Sequence, residues 1–217
     1  MKLKGAIFDL DGTLLDSMQV WERVDEEYFA SLGMAVPQGY ALAIRDLTML
    51  QAAEYTKGIT GAGESAEEIC AIWRAMVADH YEKDVEAKRG ALEFLRFLKD
   101  RGAKAGIATT LTEETYLPAL KKLGIEELFS VKVSVRDVGR GKGFPDVYLR
   151  AARLMGLEAS ECAVFEDILL GVTSAKSAGF YTIAVQDASS AADEGALRRT
   201  AGLYIQDFTE PTLRRLF

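Results

Sequence analysis

Short apolar runs alternating with helical stripes constrain this chain more than any other feature. Runs rich in Val, Ile and Phe fall at 5–10, 105–109, 131–135, 163–165, 182–185 and 203–205. They read as strands buried on both faces. Between them, helical patterns occupy 91–99, 113–123 and 146–155, with glycine stops at Gly102, Gly124 and Gly156. The alternation predicts an α/β fold: a doubly wound parallel sheet, Rossmann-like, with helices on both faces. Such sheets bind ligands outside the carboxyl ends of their strands, so the residues at those ends carry the functional reading.

One stretch breaks the alternation. From 16 to 88 no strand pattern occurs, while Met18, Trp21, Val24, Tyr28 and Leu32 recur at helical spacing, as do Ile69, Ile72, Trp73, Met76 and Val77. The predicted organisation is a catalytic core of 1–15 and 88–217 with a small α-helical cap domain, 16–87, inserted after the first strand. Both stripes read as internal packing of that insertion. Its two ends flank the expected site, so the insertion is expected to act as a lid.

Composition bounds the function. The chain has 217 residues, 49% hydrophobic and 27% charged, the usage of a chain that folds by itself. A net charge of −7 argues against nucleic-acid and anionic-membrane partners, which need a basic surface. A small anion needs only a local cluster of Lys, metal and backbone N–H groups, so a phosphorylated metabolite is compatible with global acidity. The scattered Cys70 and Cys162 read as buried free thiols. No apolar run reaches the roughly 18 residues of a membrane span, and the N-terminus turns acidic too soon for a signal peptide. A cytoplasmic location is therefore expected, and a monomer, because no apolar surface segment stands out.

Four strand-end elements carry chemistry. The first is Phe8-Asp9-Leu10-Asp11-Gly12-Thr13, where two carboxylates end a buried strand and call for neutralisation, commonly by a divalent metal. Alone, this motif could be an ordinary acidic turn. The second is Phe165-Glu166-Asp167, a further acidic pair at a strand tip. Converging carboxylates suit Mg²⁺, whereas zinc is disfavoured because His80 is the single histidine and the cysteines lie apart. His80 itself reads as a helix-face residue. The third is Thr109-Thr110, at the end of another strand, where hydroxyls and N–H groups could receive phosphoryl oxygens. Taken alone, that segment reads more readily as a plain helix start near Thr112. The fourth is Lys142 in the glycine-rich 139–146 loop, which lacks the spacing of a P-loop and could otherwise be solvated.

Together these elements, in the order DxD, Thr, Lys, Glu-Asp, resemble the haloacid dehalogenase superfamily of phosphotransferases. The pairing of DLDGTLLDS with CAVFEDILLGVTSAKSAG is specific, and the resemblance spans essentially the whole chain. The helical insertion resembles the superfamily's first cap class, in the branch holding β-phosphoglucomutase and many small-molecule phosphatases. The resemblance implies that Asp9 is the nucleophile, forming an aspartyl phosphate, and that Asp11 acts as general acid and then general base. It implies Mg²⁺ held by the Asp9 carboxylate, the Asp11 backbone carbonyl and Asp167, with Glu166 supporting them. Lys142 and Thr109 would stabilise charge on the transferring group, with Thr110 and, in the insertion, Arg45 as substrate contacts.

Gly143, Ile168 and Leu111 depart from the branch's usual Pro, Ser and small polar residue. None of the three removes a reacting group. Trp21 stands where β-phosphoglucomutase carries a histidine, which favours a phosphatase over a phosphomutase. The expected activity is thus hydrolysis of a small phosphorylated metabolite, in particular a sugar phosphate; the alternative is a β-phosphoglucomutase-like mutase. A phospho-aspartate receiver domain is a remote alternative, disfavoured by length and by the insertion. Asp11 speaks against a metal-independent dehalogenase.

Overall fold

The computed structural model describes residues 2–44 and 47–217, so Arg45 lies outside the described residues. Its larger unit comprises the chain through Asp16 together with Glu86–Phe217, and a second unit comprises Ser17–Val85.

Six strands form the sheet of the larger unit: β1 (Gly5–Phe8), β4 (Lys104–Thr109), β5 (Phe129–Ser134), β6 (Cys162–Glu166), β7 (Tyr181–Val185) and β8 (Leu203–Ile205). The spatial order is β5-β4-β1-β6-β7-β8, and every pairing is parallel. The expected doubly wound α/β sheet is the one found. β1 is central and buried throughout. From it the chain proceeds first to β4 and β5 on one side and then to β6, β7 and β8 on the other. The crevice at this reversal lies outside the carboxyl ends of β1, β4 and β6.

Register sets what meets there. Phe8 pairs with Ile107 on one neighbour and with Phe165 on the other. Counting onward, Glu166 is level with Asp9, while Thr109 and Asp167 are level with Leu10. Phe8 and Phe165 stack at 4.5 Å between ring centres, so an aromatic layer lies directly beneath the acidic tips. Phe94, Phe129 and Phe208 complete that layer.

Two further strands, β2 (Leu15–Asp16) and β3 (Glu86–Ala87), pair antiparallel into a two-residue ribbon where the chain leaves and rejoins the larger unit. The second unit holds α1 (Met18–Ser31), α2 (Tyr40–Ile44), α3 (Met49–Thr60) and α4 (Ala66–Lys83). Thr48 and Ser65 start α3 and α4 with reciprocal capping boxes. Val20, Val24, Tyr28 and Phe29 of α1 are buried, as are Ile69, Trp73 and Val77 of α4. Trp21 is only half-buried. Tyr28 meets Trp73 edge-to-face at 5.7 Å. His80 is buried on α4, its ring nitrogens 2.7 Å from Asp84 Oδ2 and 3.1 Å from Glu27 Oε1. This is a structural clasp between α1 and α4.

Helices α5 (Ala91–Asp100), α6 (Glu113–Lys122), α7 (Val135–Val138), α8 (Asp146–Leu154), α9 (Leu169–Ser177), α10 (Glu194–Thr200) and α11 (Leu213–Leu216) belong to the larger unit. Both cysteines are buried free thiols, and burial pushes the Cys162 thiol up to about 11. Among the described residues, no helix is long and apolar enough to cross a membrane.

Candidate active site

Asp9 continues the line of β1, its N–H donating to the Phe165 carbonyl at 3.0 Å. The chain then turns sharply. The Leu10 carbonyl accepts from the N–H groups of Thr13, Leu14 and Leu15, at 3.3, 3.0 and 2.8 Å. Gly12 makes the turn possible. Its φ of 71° is left-handed, and a Cβ there would stand 2.6 Å from Asp167 Oδ2. Thr13 is buried and its hydroxyl donates to Asp167 Oδ1 at 3.1 Å. Asp11, on the same turn, is half-exposed.

Asp9, Glu166 and Asp167 are all buried, and their carboxylate oxygens lie within 4.8 Å of one another. Lys142 enters from the loop before α8. Its ammonium contacts Asp9 Oδ1 and lies 2.5 Å from Glu166 Oε1. The Ser174 hydroxyl, on α9, donates to the Lys142 carbonyl at 2.5 Å and so fixes the loop. Tyr148, one helical face into α8, donates to Glu166 Oε1 at 2.7 Å.

Burial and mutual repulsion shape the charges. Burial, followed by repulsion from Asp9, pushes Glu166 up to about 7 against the pull of Lys142. Burial, then Asp9 and Glu166, push Asp167 up to about 8. Burial pulls Lys142 down, but Asp9 and Glu166 outweigh it and hold the ammonium above its ordinary range. Three buried carboxylates thus share one protein cation among the described residues, a costly imbalance. Glu166 Oε2 is buried with no hydrogen-bond partner among the described residues. An all-oxygen donor set short of positive charge fits a hard divalent cation.

Thr109 is buried at the tip of β4, with its hydroxyl oxygen accepting the Leu111 N–H at 3.1 Å. Thr110 is exposed beyond it. The structure therefore places Lys142 in contact with Asp9 and Glu166, brings the Asp167 carboxylate within 4.8 Å of theirs, and sets Thr109 level with Asp167 by strand register. Tyr148 and Ser174, and the bond from Thr13 to Asp167, add to the residues legible in the sequence motifs. Tyr148 had a signal: it shares the buried face of α8 with Val147 and Ala151, and a buried phenol needs a polar partner.

Comparison with known proteins agrees with this geometry. The family model described as haloacid dehalogenase-like hydrolase matches residues 6–185. Hexitol phosphatase A of Escherichia coli (strain K12) is 33% identical over 192 residues, 85% of this chain and 84% of that protein. Validoxylamine A 7'-phosphate phosphatase of Streptomyces hygroscopicus subsp. limoneus is 30% identical, with 95% of each chain covered. In fold, CbbY from Rhodobacter sphaeroides, solved in complex with phosphate, superposes with a TM-score of 0.79 at 22% identity, covering 96% of each chain. The chain belongs to the haloacid dehalogenase-like hydrolases, as the paired motifs at Asp9 and Asp167 had implied.

Proposed function

We propose that this chain is a Mg²⁺-dependent phosphatase that hydrolyses a small phosphorylated metabolite, a sugar or polyol phosphate, through a phosphorylated Asp9. The observation that carries the proposal is the placement of Asp9. Its carboxylate ends the central strand, is gripped by Lys142 and faces the Asp167 and Glu166 carboxylates. The relatives named as hexitol and validoxylamine 7'-phosphate phosphatases support the substrate class.

In this reading an Asp9 oxygen attacks phosphorus and the bond to the leaving alkoxide breaks, with Asp11 giving that oxygen its proton. Water then attacks the phospho-aspartate, passes a proton to Asp11 and releases inorganic phosphate. Lys142 and the Thr109 hydroxyl stabilise negative charge on the transferring oxygens. Asp9, Asp167 and the Asp11 carbonyl would hold Mg²⁺, which would supply neutralisation of phosphate charge, and Glu166 orients Lys142 behind them. Thr110 contributes to substrate binding. The helical insertion begins and ends close in sequence to this machinery, so it supplies selectivity for the rest of the substrate and acts as a lid.

The test is phosphate release from a panel of sugar, polyol and other small phosphate esters, in Mg²⁺ and in EDTA, for wild type and Asp9→Asn. Metal-dependent release that disappears in Asp9→Asn is expected. Release that survives the substitution, or metal-dependent isomerisation of a sugar phosphate with no free phosphate, would overturn the proposal.

A further inference from the structure

Where the chain rejoins the larger unit, Lys88 pairs with a carboxylate that the chemistry above leaves unused. Lys88 Nζ donates to Asp187 Oδ2 at 2.6 Å and to the Gln186 carbonyl at 3.3 Å. Asp187 follows the carboxyl end of β7. Its other oxygen accepts the Ser189 N–H at 2.9 Å and the Ser189 hydroxyl at 2.6 Å. The two side chains are only 14% and 4% exposed. Burial raises the Asp187 carboxyl, but Lys88 and Ser189 outweigh it and hold it below its ordinary value.

These contacts close a ring around the turn that carries Asp11. The Lys88 N–H donates to the Leu14 carbonyl at 2.9 Å, and the Gly12 N–H donates to the Leu15 carbonyl at 3.1 Å. A Cβ at Gly12 would lie 3.3 Å from Asp187 Cγ, so the Asp187 carboxyl packs against the turn. One residue therefore grips the turn through its backbone, the other abuts it with its side chain, and the ion pair ties the two grips together. A buried pair of this kind resists separation because either charge left alone is expensive.

We propose that Lys88 and Asp187 are positioning residues for Asp11, fixing the turn so that the Asp11 carboxyl reaches the leaving oxygen of the phosphate ester. The inference rests on the proposed phosphatase reading, in which the Asp11 proton passes to the departing oxygen as the Asp9–phosphorus bond forms. An alkoxide needs that proton. A nitrophenolate is a weak enough base to leave without it. Positioning of Asp11 therefore governs phosphorylation by an alkyl ester far more than by a nitrophenyl ester, and kcat/KM reports that half-reaction.

The experiment compares kcat/KM for the best alkyl phosphate of the panel with that for p-nitrophenyl phosphate. The variants are the Lys88→Met/Asp187→Asn double substitution, which leaves neither charge unpaired, and Lys88→Arg, which keeps the pair. Asp187→Asn alone, which still offers Lys88 an acceptor, gives the same comparison from a milder lesion should the double variant fail to fold. The expected result is a loss of about tenfold or more on the alkyl ester, less than about threefold on the nitrophenyl ester, and substantial rescue by Lys88→Arg. Equal losses on both esters, or no loss on either, overturn the positioning role while wild-type hydrolysis leaves the phosphatase reading intact. Failure of the wild type on every ester removes that reading and this one together.

Discussion

The Tyr148 hydroxyl and Lys142 Nζ converge on a single oxygen, Glu166 Oε1, at 2.7 and 2.5 Å. Glu166 is thereby held from two helical and loop elements at once, and it relays that order to Lys142 and so to Asp9. A hydrogen bond to a charged acceptor contributes about 1.5–3 kcal/mol. Tyr148→Phe keeps the ring's packing against Phe180 and removes only that bond. The expected outcome is a Tm lower by several degrees, at about 2–4 °C per kcal/mol for a chain of this size. Because Lys142 still holds Glu166, the fall in kcat is expected to stay within about tenfold. Unchanged thermal unfolding would show that the phenol contributes nothing to the site.

Gly12→Ala combines two penalties, a left-handed backbone for a residue with a Cβ and a 2.6 Å clash with Asp167 Oδ2. The backbone penalty is about 1–2 kcal/mol. The clash is specific to the site, because relieving it moves either the Asp11 turn or a proposed metal ligand. Gly124→Ala is the matched control: its φ is 65°, but nothing lies within 4 Å of the added Cβ. Both variants should lose stability. Only Gly12→Ala should lose activity, by about tenfold or more, and require more Mg²⁺ for half-maximal rate. Parallel kinetic losses in the two would mean that Gly12 matters for folding alone.

How much of this was legible beforehand follows from where the information resides. The strands could be read to within about two residues because burial on both faces leaves a continuous apolar run. Their ends were set by local bonding that the runs do not reveal. The 5–10 run stops being strand at Phe8 because the Leu10 carbonyl collects three turn N–H groups. The 131–135 run loses Val135 to α7 because Ser134 and Asp137 cap that helix reciprocally. The β2–β3 ribbon was invisible, since each strand has two residues and the partners lie some 70 positions apart in sequence. The acidic tips could be read because carboxylates at the end of an apolar run demand an explanation. Tyr148 could be read as a buried phenol needing a polar partner, but neither its partner nor that of Asp187 could be, because both are chosen by how α8 and the β7 loop meet the sheet.

Lys142→Met removes the protein cation nearest Asp9 and Glu166, both buried. Breaking one partner out of a buried pair costs about 3–5 kcal/mol. Glu166 and Asp167 already take up protons readily, so at acidic pH they can neutralise part of the excess charge. The stability loss should therefore be small near pH 5 and large near pH 8.5 in EDTA. With Mg²⁺ present, kcat should fall by about 10²–10³, the usual consequence of removing a preorganised charge from the transferring group. Thermal unfolding at the two pH values and steady-state kinetics check both parts. A loss of stability independent of pH would refute the charge-sharing account.

The same carboxyls make stability without metal depend on pH in a determined direction. Folding raises Glu166 from its ordinary 4.5 to about 7 and Asp167 from 3.8 to about 8. The folded chain thus binds protons more tightly than the unfolded one across this range. Their contribution is complete below about pH 4 and is lost as pH rises through about 7 and 8. Lys142 does not mask the trend, since its ammonium is held above its ordinary 10.5 and stays charged throughout. A divalent cation binds the ionised carboxylates and competes with the protons, so its stabilising effect must grow over the window in which the protons leave. In EDTA, Tm is expected to fall between pH 5 and pH 8.5; in millimolar Mg²⁺ the fall should shrink or reverse, and Asp167→Asn should flatten the EDTA profile. Parallel Tm profiles with and without Mg²⁺ would mean that the acidic tips of β1 and β6 are not where the metal binds.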